Sequence, residues 1–348
     1  MCNIAGYVGE RRAAPILIEM IKAQEGLNGG HFSGIATLHE GKIYYEKLTG
    51  DFDRLVALKH IEEMPGNIGI IHSRTPSGGG DEWAHPFVYR KEGRVQLAYV
   101  ANGAARMFEV RNDEYNRMTW DMLNEGWVMD SRVRIPNPRY QILPDGSAVH
   151  MSDVMCQLIA KHMKEGDRED TAMAKAFCDM PGEIVGLLLS LATPDKIAYA
   201  RINMPMFVGF VGHGAYLSST PQAFPDDFAG EVHILPALSS GYVGRDTIKS
   251  TAFSGFPVTV EKVTPAIKAA AADTLFSLLS KGEMLCKEMF KEVTPLFKST
   301  GCIPYAGLVY EILYDLKKKG RLSVRSERVQ GSAPGLTAPL FYLSLQGE

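Results

Sequence analysis

Apolar positions at the start of the chain predict a short strand, Asn3 to Val8, closed by Gly9. The spacing then becomes helical from about Ala13 to Gln24, with Ile16, Leu17, Met20 and Ile21 on one face, and Gly26 to Gly30 break that helix. Strand-like runs follow at Gly34 to Leu38, Lys42 to Lys47, Ile68 to His72 and Val95 to Val100, separated by turn-rich segments. From Met107 to Val149 the pattern weakens into a polar, aromatic stretch with Trp120, Trp127 and Pro136-Asn137-Pro138, read as an insertion rather than a domain. Helical periodicity returns at Ser152 to Lys164, with Ser152 as the expected N-cap, and at Asp170 to Met180. Ile184 to Ala192, Ile197 to Arg201, Met206 to Val211 and Ala215 to Ser218 predict a meander of strands with turns at Thr193-Pro194-Asp195 and Gly212-His213-Gly214.

Beyond about Ser250 the character changes. Ala266 to Leu279, Glu283 to Phe297 and Tyr305 to Lys319 are three helical segments, followed by strand-like runs at Arg321 to Val329 and Leu340 to Leu345. The expected division is residues 1–252 and 253–348, the second unit helical with a C-terminal β-hairpin and similar to a winged helix.

Composition narrows the class. The 348 residues, 45% hydrophobic and 22% charged, are those of a globular protein with a substantial core. A formal charge of -3 gives no global case for nucleic-acid or membrane binding. Five scattered cysteines, Cys2, Cys156, Cys178, Cys286 and Cys302, form no Cys-x-x-Cys pair and suit a reducing compartment. With no signal-peptide pattern and no apolar run of spanning length, the expectation is a cytoplasmic protein without a membrane segment.

The candidate chemistry begins at Cys2. Trimming of Met1, which a small second residue permits, would give one residue both a thiol and a free amine, groups that titrate near about 8.5 and about 8. An N-terminal amine acting as base to its own side chain is a known means of activation. The segments Met1-Cys2-Asn3-Ile4-Ala5-Gly6, Ser33-Gly34-Ile35-Ala36, His72-Ser73-Arg74-Thr75, Ala84-His85-Pro86 and Ala101-Asn102-Gly103 then follow in order, with Ser152-Asp153 later. Taken singly they are bland: Asn-Gly suits a β-turn, an arginine a surface ion pair, and an aspartate the first turn of a helix.

Together they resemble the glutaminase domain of class II glutamine amidotransferases, the N-terminal-cysteine branch of the Ntn hydrolases, over about residues 2 to 245. The forms attached to hexosamine-phosphate synthases and phosphoribosylpyrophosphate amidotransferases are especially similar. The resemblance implies an α+β fold, a four-layer αββα sandwich with Cys2 at a strand end. It implies hydrolysis of glutamine to glutamate and ammonia through a γ-glutamyl thioester on Cys2, with no metal or organic cofactor. By the same resemblance, the Asn102 amide and the Gly103 backbone N–H form the oxyanion hole. Arg74 clamps the α-carboxylate with Thr75 beside it, Asp153 receives the α-ammonium, His85 shapes the pocket, and His72 orders the loop. The chain departs from the pattern where relatives have Arg-Gly-x-Asp and it has Asn28-Gly29-Gly30-His31, and where it has Ala101 for a histidine.

Sugar-isomerase repeats, a phosphoribosyl-binding loop and an ATP-pyrophosphatase loop are not found, so the ammonia acceptor is expected on a partner polypeptide. Lys317, Lys318, Lys319, Arg321, Arg325 and Arg328 cluster near the C-terminus. Nucleic-acid contact is one reading; a solvated helix end or a protein-docking surface is favoured, because the chain as a whole is acidic. Two further functional readings stand beside the glutaminase: an N-terminal-cysteine amidohydrolase for another amide, and a noncatalytic amino-acid sensor whose tail contacts DNA or protein.

Overall fold

The computed structural model describes residues 2–134, 142–298 and 301–346; Met1 and Pro136-Asn137-Pro138 lie outside them. The first part of the chain forms β1 (Asn3–Gly9), α1 (Ala13–Asn28), β2 (Phe32–His39), β3 (Lys42–Thr49), α2 (Phe52–Lys59), β4 (Ile68–Arg74), β5 (Phe87–Lys91) and β6 (Arg94–Ala104). Four helices follow, α3 (Ala105–Val110), α4 (Asn112–Asn124), α5 (Met151–Lys164) and α6 (Glu169–Asp179). Then come β7 (Glu183–Ser190), β8 (Ile197–Arg201), β9 (Phe207–Val211), β10 (Gly214–Ser218), β11 (Val232–Ile234), β12 (Ser239–Val243) and β13 (Ile248–Ala252).

Among the described residues these strands form two antiparallel sheets, β11-β9-β10-β1-β4-β2-β3 and β13-β12-β8-β7-β6-β5. Alternation along β7 explains the layering: Val185, Leu187 and Leu189 point between the sheets, whereas Ile184 and Leu188 pack toward α5 and α6. Ile4 and Val8 of β1 join the inter-sheet core, and Ala5 and Tyr7 face α1. The order α1, sheet, sheet, α5 with α6 is the expected αββα sandwich.

The remainder forms α7 (Pro265–Leu279), β14 (Met284–Leu285), α8 (Cys286–Val293), α9 (Tyr305–Lys318), β15 (Leu322–Gln330) and β16 (Thr337–Leu345). The last three strands make a small sheet, β14-β16-β15. Its apolar side is continuous with the core over α1, where Leu313, Leu316 and Leu343 join Leu17, Met20 and Ile21. No helix of the described residues is long and apolar enough to cross a membrane.

Several local expectations change. The predicted meander is two hairpins in different sheets, β7 with β8 and β9 with β10. Buried Arg201 fixes the crossover by donating to the carbonyls of Met204, at 2.7 Å, and of Leu235. The stretch read as an insertion carries α3 and α4. α5 is capped by His150, whose Nδ1 accepts from the Ser152 N–H at 3.1 Å, so Ser152 is inside the helix rather than its cap. α1 continues beyond Gln24 through Gly26 to Asn28, because tertiary contacts with the C-terminal hairpin outweigh the glycine's weak helix preference. Asn102 and Gly103 occupy no turn: β6 continues through them, opposite Val185 and Ile184.

Candidate active site

The site lies where one end of each sheet meets. β1 runs antiparallel to β4 with Asn3 opposite Ser73, which brings Cys2 to the end of β4 where Arg74 and Thr75 leave the sheet. The backbone nitrogen of half-buried Cys2 donates to Asn102 Oδ1 at 2.8 Å, joining the two sheets. Cys2 Sγ lies 3.8 Å from Thr75 Oγ1. Cys2, Thr75, Asn102 and, beside it on the strand, Gly103 therefore lie together.

A carboxamide accepts at oxygen and donates at nitrogen. Because Asn102 turns its oxygen to the Cys2 N–H, Nδ2 is the end left to donate toward a group on Cys2. Gly103 has little room for a side chain, since a Cβ would lie 3.3 Å from both the Glu183 carbonyl oxygen and Phe108.

Arg74 is buried at the base of the loop between β4 and β5. Its Nη2 donates to the Gly78 carbonyl at 2.8 Å and Nη1 to the Trp83 carbonyl at 3.2 Å, with the guanidinium 4.4 Å from the Phe32 ring centre. Lys47 grips the same loop through the Ala84 carbonyl at 2.8 Å, and burial pushes its pKa down. Arg74 thus organises the loop beside Cys2 as well as carrying the fork that suits a carboxylate.

His85 precedes a cis proline and stacks on His72, ring centres 3.8 Å apart, with His150 at 5.3 Å from His85. His72 Nε2 meets the Ala101 carbonyl at 3.0 Å; a carbonyl only accepts, so Nε2 carries the proton. Burial, reinforced by Arg74, pushes the His72 pKa down to about 3, and burial also holds His85 and His150 well below the usual range. Neutral rings here avoid repulsion with Arg74 and support the strand that carries Asn102. His85 shapes this support and does not contact Cys2 in any hydrogen bond of the described residues.

Asp153 has its hydrogen bonds away from Cys2. It is fully buried in the first turn of α5, where Oδ2 accepts from the Ser131 N–H at 2.9 Å and Oδ1 from Gln157 at 3.1 Å. Burial pushes its pKa up. The carboxylate is thus enclosed to the same degree as the Arg74 guanidinium.

The motifs assigned no role to Ser73 and did not include Glu25. Ser73 Oγ donates to Glu25 at 2.9 Å and accepts from the Gly30 N–H at 2.8 Å, and the Phe52 N–H also reaches Glu25 at 3.2 Å. Burial raises the Glu25 pKa to about 8. Only its position about one turn before the Gly29-Gly30 pair could have drawn notice.

Elsewhere, His162, Glu165 and Asp167 bring possible metal-ligand atoms within 4.8 Å of one another. They are already engaged: His162 bonds Glu165 at 3.1 Å and Asp179 at 2.7 Å, and Asp167 pairs with Lys175 at 2.6 Å. In the C-terminal basic cluster, Lys317 pairs with Asp226 at 2.8 Å, Arg325 with Glu283 at 2.7 Å, and Arg328 with Asp51.

No family model matches the chain. It is 28% identical over 226 residues to glutamine--fructose-6-phosphate aminotransferase [isomerizing] of Pyrococcus horikoshii, covering 64% of this chain and 33% of that protein. The enzyme of the same name from Xylella fastidiosa is 27% identical over 250 residues, covering 71% and 36%. The chain thus spans about a third of the length of these curated relatives. Among solved structures, glutamine phosphoribosylpyrophosphate amidotransferase from B. subtilis has a TM-score of 0.57 at 18% identity, covering 73% of this chain and 50% of that one. These likenesses agree with the resemblance to class II glutamine amidotransferases, and the structural one with the αββα fold.

Proposed function

We propose that the chain hydrolyses glutamine through Cys2 after loss of Met1 and passes the ammonia to an acceptor on a partner synthase. The observation that carries this reading is the 2.8 Å bond from the Cys2 nitrogen to Asn102 Oδ1. With Met1 removed that nitrogen is an amine. One N–H stays on Asn102, and the lone pair is free to take the thiol proton. The thiolate attacks the glutamine side-chain carbonyl, and the tetrahedral oxyanion is held by Asn102 Nδ2 and the Gly103 N–H. The amine returns its proton to the departing ammonia, leaving a γ-glutamyl thioester. Water then attacks the thioester, the amine takes up its proton, and glutamate leaves as the thiol re-forms.

Arg74 and Asp153 are the proposed partners of the substrate's α-carboxylate and α-ammonium, with Thr75 beside the thiol; both charged groups are enclosed before substrate binds. The ion pairs of Lys317, Arg325 and Arg328 favour a C-terminal unit, residues 253–348, that docks on its own protein over one that neutralises phosphates. Five free thiols suit a cytoplasmic setting.

The test compares release of glutamate and ammonia from glutamine with turnover of a simple primary amide lacking the α-carboxylate. Glutamine turnover abolished by Cys2→Ala supports the reading. Equal turnover of both amides points to a different amidohydrolase, and no turnover by chain starting at Cys2, alone or with synthase partners, contradicts it.

A further inference from the structure

We propose that the C-terminal hairpin, β15 with β16, together with α9, positions the glutamine clamp by gripping the segment 28–31. This rests on the glutaminase reading above. The segment has two working sides.

Outwardly, Asn28 Nδ2 donates to the buried Tyr310 hydroxyl at 2.7 Å, and His31 Nδ1 lies 3.0 Å from Ser332 Oγ. Gly26 and Gly30 complete the fit. A Cβ on Gly26 would lie 2.3 Å from the Phe341 ring, and one on Gly30 would lie 2.7 Å from Pro339. Gly30 also has φ +88, which disfavours any side chain. Arg328 pairs with Asp51, which caps α2 through the Arg54 N–H at 3.0 Å. α9 through Tyr310 and the hairpin through Ser332 and Pro339 therefore seat on this segment, with Phe341 against Gly26 and Arg328 on Asp51 beside it.

Inwardly, the Gly30 N–H donates to Ser73 Oγ at 2.8 Å and the His31 N–H to the Arg74 carbonyl at 3.1 Å. A Cβ on Gly29 would lie 2.5 Å from Ser73 Oγ. The backbone of Arg74 is thus backed by a segment whose other side belongs to α9 and the hairpin. The positions where the chain lacks the family's arginine and aspartate, Asn28 and His31, are the two that bond to the C-terminal unit. Slackening this brace loosens the Arg74 backbone and weakens the hold on the substrate's carboxylate in ground and transition state alike, an effect that glutamine KM reads and kcat does not.

Tyr310, Ser332 and the hairpin are positioning groups and touch no substrate. Their test uses the full chain beginning at Cys2, with Tyr310→Phe and Ser332→Ala as single and double variants. Steady-state glutamine hydrolysis, alkylation of Cys2 by iodoacetamide, which has no α-carboxylate, and thermal unfolding are measured together. The expected result for the double variant is a glutamine KM raised about fivefold, with kcat and alkylation rate within about twofold of the parent. A KM unchanged in folded variants overturns the inference while the glutaminase reading stands. A parallel loss of kcat, alkylation and melting temperature also overturns it, by showing general destabilisation. Absence of glutamine hydrolysis by the parent chain, both alone and with synthase partners, overturns both readings.

Discussion

Asn102 orients two reactants with one side chain. Its oxygen accepts from the Cys2 N–H at 2.8 Å, and in the proposed reaction its nitrogen would donate to the charge that develops only when the thiolate has attacked. Asn102→Ala is expected to lower glutamine turnover about a hundredfold or more, equivalent to about 3 kcal/mol of barrier, while iodoacetamide still alkylates Cys2. Retention of most of the turnover would remove Asn102 from the oxyanion site. Glu25 is a residue of a different kind: its carboxyl is buried, protonated at neutral pH and bonded to Ser73. An acid whose pKa is raised by folding stabilises the protein fully below its ordinary value of 4.5, and that contribution is lost as pH rises through about 8. Glu25→Gln is expected to flatten the fall of denaturant stability between those values, measured by chemical unfolding at several pH values. An unchanged slope would contradict a buried neutral carboxyl.

At the scale of elements, the join between α1 and the hairpin sets two effects against each other. Replacing glycine by alanine inside a helix ordinarily gains roughly 1 kcal/mol. At Gly26 the added methyl would meet the Phe341 ring at 2.3 Å, and overpacking costs roughly 1–3 kcal/mol. Gly26→Ala is therefore expected to lower the denaturant midpoint; a higher midpoint would mean that the hairpin yields freely. The same join marks the reach of sequence reading. β1, β4, β7 and α9 were legible because one apolar face repeats at period 2 or 3.6. The extension of α1 was hidden because Phe341 and Tyr310, some 300 residues away, stabilise it. β13 escaped notice because all five of its residues are exposed, leaving no apolar face to read. Cys2, Asn102 and Arg74 could be found from residue type and order. The roles of Ser73 and Glu25 arise from tertiary partners, and burial of Asp153 against Ser131 and Gln157 could not be read from a Ser-Asp pair.

Across the whole molecule, the protein carries a buried neutral histidine cluster, His72, His85 and His150, beneath its proposed catalytic strand. Unfolded histidines take up protons near 6.5, whereas these remain neutral, in the case of His72 to about 3. Their contribution is present above 6.5 and is lost as pH falls, by about 1.4 kcal/mol per pH unit for each such histidine. Thermal stability is thus expected to fall steeply from pH 6.5 toward 4, and a flat profile would contradict neutral burial. The two sheets hold the Cys2 nitrogen against Asn102, and this cluster backs the strand that carries Asn102. The mass of the N-terminal peptide after incubation with a diazoketone analogue of glutamine tests that arrangement most directly. The account predicts a peptide that begins at Cys2, carries one adduct on that residue, and is protected by excess glutamine. A peptide that begins at Cys2 but stays unmodified at concentrations that saturate a glutamine site would contradict it.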